Sequence, residues 1–336
     1  MDSLSNENLH QLGITARSLV EDGKGILAAD ESPRSIEKRL ETNGIKNTKE
    51  NRRAFRELLI TTPEISKMIG GVILHDETFD QRNDVGDLLV DLLVEKGIAP
   101  GIKLDLGLED LNDKEKISIG LDDLEERCAL PKYKNAKFAK WRSIFRITEN
   151  TPTEDTIEKN CEVLAKYAFI CQKHGLVPIV EPEILWDGRY GMREAYIQSN
   201  VILSCLMYHL NRAGVYIPGV VVKTGFVSTG KEMKTKDDIK EISAMTFSSL
   251  IASIPCGIGG VVFLSGGHSP EDSTEYLNNI NKEKGKRTWK ISFSFGRALT
   301  DPVLAVWKGD ERNKIQAQEK FKELVKRNYL AARGEL

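Results

Sequence analysis

Eight short runs of strand-favouring residues recur along the chain, and each is followed by a stretch with helical punctuation. They are GILAAD (25–30), GGVILHD (70–76), PGIKLD (100–105), KWRSIFRI (140–147), VPIVEPE (177–183), GVVVKTG (219–225), GVVFLSGG (260–267) and WKISFSFG (289–296). Most are continuous apolar runs, the pattern of parallel strands covered on both faces. Eight βα units closing on themselves predict an α/β fold, a single-domain TIM (β/α)8 barrel over residues 1–336. A doubly wound open sheet would fit the alternation, but not the count as naturally.

The chain has 336 residues, 40% hydrophobic and 29% charged, enough to bury a barrel core. No linker, low-complexity tract or short repeat divides it. Thr151-Pro152 is expected to open a helix that Gly175 closes, and Ser269-Pro270 to open another. Asp301-Pro302 marks a C-terminal helix from about 302, and Gly214 ends the helix before the sixth strand. The charged, turn-rich stretch 107–126 reads as a long excursion after the third strand.

Net charge is −2, which gives no reason to expect a nucleic-acid partner or an anionic membrane surface. Five scattered cysteines without CxxC argue against a disulfide framework and favour a reducing compartment. The five histidines are far apart in sequence, with no HExxH or Cys/His cluster, so no metal site is expected. The polar N-terminus lacks the order of a signal peptide, and no apolar run is long enough to span a membrane. The default is a soluble cytoplasmic protein.

In a barrel, chemistry sits at the C-terminal strand ends. Here those ends carry Asp30, Lys103, Glu181 with Glu183, Lys223 and Ser265-Gly266-Gly267. An ammonium at Lys223, following three valines, loses hydration, which favours the neutral and nucleophilic amine. Its natural target is a carbonyl, giving a Schiff base. The plain alternative is an ion pair with a carboxylate. Glu181 and Glu183 leave one face of their strand, so one is expected to keep a proton as general acid, or both to be ordinary salt-bridge partners. Lys140 and Arg142 share a face near the start of their strand, away from the expected rim. Asp30 is either a neighbour of Lys223 or the cap of the helix that follows. SGGHS (265–269) and SFGRAL (294–299), with Gly296 and Arg297, stand where this fold holds phosphate. Arg34, Ser35, Lys38 and Arg39 after the first strand make a second anion site or a solvated helix face.

With these residues in place, the chain resembles the class I fructose-1,6-bisphosphate aldolases. The stretches KGILAADES, ENRRAFRELL, IGGVIL, FAKWR, HGLVPIVEPEIL, FLSGG and FSFGRAL carry the likeness, in order, from about residue 15 to the C-terminus. The resemblance implies cleavage of fructose 1,6-bisphosphate to dihydroxyacetone phosphate and glyceraldehyde 3-phosphate, without metal or cofactor. It implies Lys223 as the Schiff-base lysine, Glu181 as general acid/base and Glu183 as a residue that holds lysines in place. Asp30 would assist at the C4 hydroxyl, and Lys140, supported by Lys103, would help dehydration. Ser265, Gly266, Gly296 and Arg297 would hold the C1 phosphate; Ser32, Ser35, Lys38, Arg39 and Arg142 would line the C6 side. It also suggests a homotetramer.

Several positions depart from the family pattern. Thr224-Gly225 replaces the usual Pro after the lysine, Pro33-Arg34 stands within the loop usually written STGS, Phe295 replaces Tyr and His268 replaces Gln. The first two bear on the C6 end, and so on preference between bisphosphate and monophosphate. The chain stops at LAARGEL, about where the family's mobile tail begins, which implies slower product release with Schiff-base formation intact. Two rivals remain: a Schiff-base lyase of other specificity, and a scaffold whose basic patches hold a cytoskeletal partner such as actin.

Overall fold

Parallel strands close on themselves in the computed structural model, which describes residues 5–233, 237–283 and 287–336. In chain order the elements begin with α1 (Asn6–Ser18), β1 (Gly25–Ala29), α2 (Pro33–Thr42), α3 (Lys49–Thr61), β2 (Ile69–Leu74) and α4 (Leu89–Glu95). Next come β3 (Ala99–Lys103), β4 (Leu108–Asp110), β5 (Lys116–Ser118), α5 (Leu124–Cys128), β6 (Phe138–Phe145) and α6 (Glu154–Lys173). Then follow β7 (Val177–Ile184), α7 (Met192–Arg212), β8 (Val221–Thr224), α8 (Ile239–Ser253) and β9 (Gly260–Phe263). The chain ends with α9 (Pro270–Lys282), β10 (Ile291–Phe295), α10 (Arg297–Trp307) and α11 (Lys314–Arg333).

The closed barrel runs β1-β10-β9-β8-β7-β6-β3-β2, the expected TIM barrel, with a strand in each of the eight predicted runs. The excursion after the third barrel strand contains the antiparallel ribbon β4–β5. The ribbon is tied to the barrel because Trp141 Nε1 donates to Ser118 Oγ at 2.8 Å from a fully buried ring.

Strand alternation explains the site. One buried cluster contains Ile26, Ala28, Phe138, Val177, Ile179, Val221 and Val262, together with Leu12, Ala16, Leu19 and Val20 from α1 and its C-terminal end. Two residues beyond Ala28, Phe138, Ile179 and Val221 come Asp30, Lys140, Glu181 and Lys223. Since side chains on a strand return to one face every second residue, the inward row changes from apolar to charged at a single level. Phe138 fixes that level. A Cβ on Gly101 would fall 2.2 Å from its ring, so only glycine leaves room there. Losing the Phe138 ring would cost about 3–5 kcal/mol, since the neighbours cannot fill its volume.

Three predicted boundaries move. The helix expected to open at Thr151-Pro152 is capped instead by Thr153, whose side chain accepts from Thr156 N. The C-terminal helix expected from about 302 is two helices. α10 already winds from Arg297, because Ala298, Leu299 and Thr300 are buried against the barrel, and Pro302 lies inside it at the loss of one helical hydrogen bond. Lys308 and Gly309, at φ 52° and 71°, end α10 before α11 begins. Asp30 does not cap α2 either; Ser32 does, accepting from Ser35 N at 3.2 Å.

Candidate active site

Lys140 lies third in β6, yet its register partner on β3 is Lys103, the last residue of that strand. It therefore stands level with the rim, and β6 with its partner β7 rises past the shorter strands. This resolves its expected misplacement near a strand start. Lys140 Nζ lies 2.7 Å from Asp30 Oδ2, 3.4 Å from Glu181 Oε2 and 3.8 Å from Asp105 Oδ2. Lys223 Nζ lies 3.0 Å from Glu181 Oε1. Lys103 Nζ lies 2.7 Å from Asp105 Oδ1. Lysines and carboxylates thus alternate around the inner wall, which offsets the cost of burying each charge. Burial alone would raise the Asp30 carboxyl, but Lys140, Lys223 and Lys103 overcome it and bring it to about 2. The same carboxylates hold Lys140 well above its ordinary value against the effect of burial.

Of the two arrangements expected of Glu181 and Glu183, the structure has the salt-bridge one. Glu181 belongs to Lys223 and Lys140, whereas Glu183 accepts from Arg142 Nε. Each has its own cation, and Glu183 holds an arginine in place of the expected lysines. Glu181 Oε2 is buried and has no hydrogen-bond partner, so it is free to take or give a proton at a bound molecule.

An open basin of about 830 Å³ covers this cluster. Ser265, Gly266, Gly296 and Arg297 line one side, and Ser35, Lys38, Arg39 and Arg142 the other, with Lys223, Lys140, Glu181 and Asp30 within it. Gly296 caps α10 without a side chain of its own, leaving first-turn N–H groups free for an anion. Gly266, at φ 60°, turns the chain after β9 in a conformation that favours glycine. Arg39 is already engaged, donating to Asp301 Oδ1 at 2.5 Å, to Thr300 Oγ1 at 2.5 Å and to Glu31. A buried lysine ion pair explains part of this, but not the glycines and cations that line the basin on each side of it.

The whole chain carries the same message. It matches the family of class-I fructose-bisphosphate aldolases over residues 11–336. The chain belongs to the class-I fructose-bisphosphate aldolase family. The fructose-bisphosphate aldolase of Encephalitozoon cuniculi is 52% identical over 328 residues, covering 98% of this chain and 96% of that one. Aldolase B of Bos taurus is 43% identical over 336 residues, covering 99% and 92%. A solved aldolase of Plasmodium falciparum, in complex with TRAP and a small molecule inhibitor, superposes with a TM-score of 0.96 at 41% identity, covering 99% and 97%. The enzyme is thus a lyase that cleaves fructose 1,6-bisphosphate, and its class works through a lysine Schiff base without metal.

Two predicted residues of the aldolase stand outside the basin lining. Ser32 is used as the α2 cap, with its Oγ 2.9 Å from Ser35 Oγ. Lys103 is turned to Asp105, donating to its carbonyl at 2.6 Å as well. Asp105 was not foreseen. It is buried, stands between Lys103 and Lys140, and has an unpartnered Oδ2. Its signal was the two-residue spacing in KLD, the same one that marks KWR and EPE. Among the described residues, no helix is long and apolar enough to cross a membrane.

Proposed function

We propose that Lys223 carries the Schiff base of this aldolase and that Glu181 moves its protons. The observation that carries the reading is the 3.0 Å contact between them beneath the two-sided basin. Glu181 takes a proton from the Lys223 ammonium, and the freed amine adds to the C2 carbonyl. Glu181 returns that proton to the carbinolamine hydroxyl, which leaves as water. The protonated imine then accepts the C3–C4 bonding pair, and an enamine forms as the C4 hydroxyl gives its proton to Glu181. Asp30 stays ionised and orients Lys140 beside the C4 hydroxyl, assisting the proton transfer to Glu181 without taking the proton. Lys140, backed by Lys103 through Asp105, steadies the charge that develops during dehydration. Glu183 fixes Arg142.

The C1 phosphate lies on Ser265, Gly266, Gly296 and Arg297, and the C6 phosphate faces Ser35, Lys38, Arg39 and Arg142. The bisphosphate is then preferred over the monophosphate. Borohydride reduction with dihydroxyacetone phosphate, followed by peptide mass spectrometry, tests the assignment. A triose-phosphate adduct on Lys223, absent from Lys223→Met, is expected. Folded protein that cleaves substrate yet carries its adduct on another lysine overturns it.

The enzyme acts as a cytoplasmic homotetramer in this proposal, which mass photometry of the purified chain would check. A protein-binding role beside catalysis rests on one observation, the complex of the P. falciparum aldolase with TRAP. Co-sedimentation with actin filaments is its first test, because a cytoskeletal partner is the one expected for this chain.

A further inference from the structure

Away from the barrel mouth, α6 and α7 bring together three side chains that are distant in sequence. Cys205 and His209 are four apart on α7, so they share a face one turn apart. Glu158 reaches them from α6. Glu158 Oε2 lies 2.6 Å from His209 Nε2, and Glu158 Oε1 lies 3.6 Å from Cys205 Sγ. All three ligating atoms lie within 4.8 Å of one another.

We propose that Glu158, Cys205 and His209 form a binding site for a divalent ion of the zinc type, unrelated to catalysis. The donor set decides the class. One thiolate, one imidazole and one carboxylate suit a borderline-soft ion, whereas magnesium and calcium prefer oxygen alone. Ligand bonds of about 2.0–2.3 Å set tetrahedral neighbours roughly 3.3–3.7 Å apart. The sulfur–oxygen pair already has that spacing. The closer His209–Glu158 pair must open slightly, which a glutamate side chain 52% exposed can do by rotating. A surface ion pair would account for His209 and Glu158; Cys205 packs against the core behind them and turns its sulfur to the same carboxylate.

The fourth position falls to water. Cys161, one turn from Glu158, is fully buried and donates to Ile202 O at 3.7 Å. The ion would tie α6 to α7 and stabilise the folded chain by mass action.

Cobalt reports such a site directly. Titrating the full chain, stripped of metal, with Co2+ should give a thiolate-to-cobalt charge-transfer band with tetrahedral d–d bands, saturating at one ion per chain and displaced by Zn2+. Cys205→Ser should lose the charge-transfer band. His209→Ala should lose more Co2+ affinity than the roughly 10- to 100-fold that follows removal of a ligand's supporting partner. Cys256→Ala removes an exposed thiol outside the cluster and should change nothing. Cleavage of fructose 1,6-bisphosphate should be the same in all the variants. The proposal is overturned if no charge-transfer band forms, if the band survives in Cys205→Ser, or if it disappears in Cys256→Ala.

Discussion

Glu181 faces Lys223 with one oxygen, and its other oxygen, 3.4 Å from Lys140, makes an ion pair but no hydrogen bond. A carboxylate with one oxygen on the nucleophile and one free towards the substrate can serve both dehydration and bond cleavage. Glu181→Gln keeps the shape and removes the proton carrier. Its kcat should fall about 10²- to 10⁴-fold, the usual contribution of a positioned acid or base, with little change in KM. Borohydride trapping should still label Lys223, but more slowly. Steady-state kinetics with rapid-quench trapping would show this. An unchanged kcat would move the proton carrier to another group.

Lys38 is exposed, lines the basin and has no ion-pair partner among the described residues, unlike its neighbour Arg39. A cation left free beside an anion cradle is available to the substrate. Lys38→Met should raise KM for fructose 1,6-bisphosphate about 10- to 100-fold, the equivalent of one charge-assisted hydrogen bond. Cleavage of fructose 1-phosphate should hardly change, because it has no phosphate at C6. Equal losses with both substrates would place Lys38 elsewhere.

Asp30 titrates at about 2, where an ordinary aspartate titrates near 3.8. Burial pulls it up, and Lys140, Lys223 and Lys103 pull it down further. A carboxyl lowered by folding stabilises the protein fully above 3.8, and the contribution is lost as pH falls towards 2. The shift is worth about 2 kcal/mol. Asp30→Asn should therefore be less stable than the parent by about that amount at neutral pH, and the difference should shrink on acidification. Urea midpoints at several pH values would test it; a gap that does not change with pH would mean that another group carries the charge coupling.

Much of this was legible in the chain, for a physical reason. A buried strand is a continuous apolar run, so a charge at its end is visible without knowing its neighbours. Lys223, Glu181 and Asp30 are all of this kind. What each charge touches was not legible. That Glu183 would take Arg142 and leave Glu181 to the lysines depends on register between β6 and β7, which pairs Arg142 with Glu181 and Ile144 with Glu183. The position of Lys140 depends in the same way on where β3 stops. Glu158, Cys205 and His209 are scattered in sequence, and only helix packing joins them. Residues 234–236 and 284–286 lie outside the described residues.

His268 stands where the family usually has glutamine, and its surroundings make it a pH-sensitive element of the anion loop. Its ring lies 4.0 Å from that of Trp186, centroid to centroid, and its backbone N donates to Ser265 O at 2.9 Å. Phe226 and Tyr276 meet it edge-on, and Nε2 lies 3.4 Å from Ser228 Oγ. Burial among these groups lowers the imidazole to about 4, against a weaker opposing pull from Asp272 and Asp237. A histidine kept neutral by folding gives full stability above 6.5, and that stability is lost as pH falls towards 4. The loss amounts to about 3 kcal/mol once the folded ring is protonated. His268→Gln cannot titrate. Its urea midpoint should fall less steeply than the parent's between 6.5 and about 4, and its KM should rise less over the same range. Parallel pH profiles for the two proteins would show that the ring is not held neutral by the fold, and would separate the 265–267 loop from any control by His268.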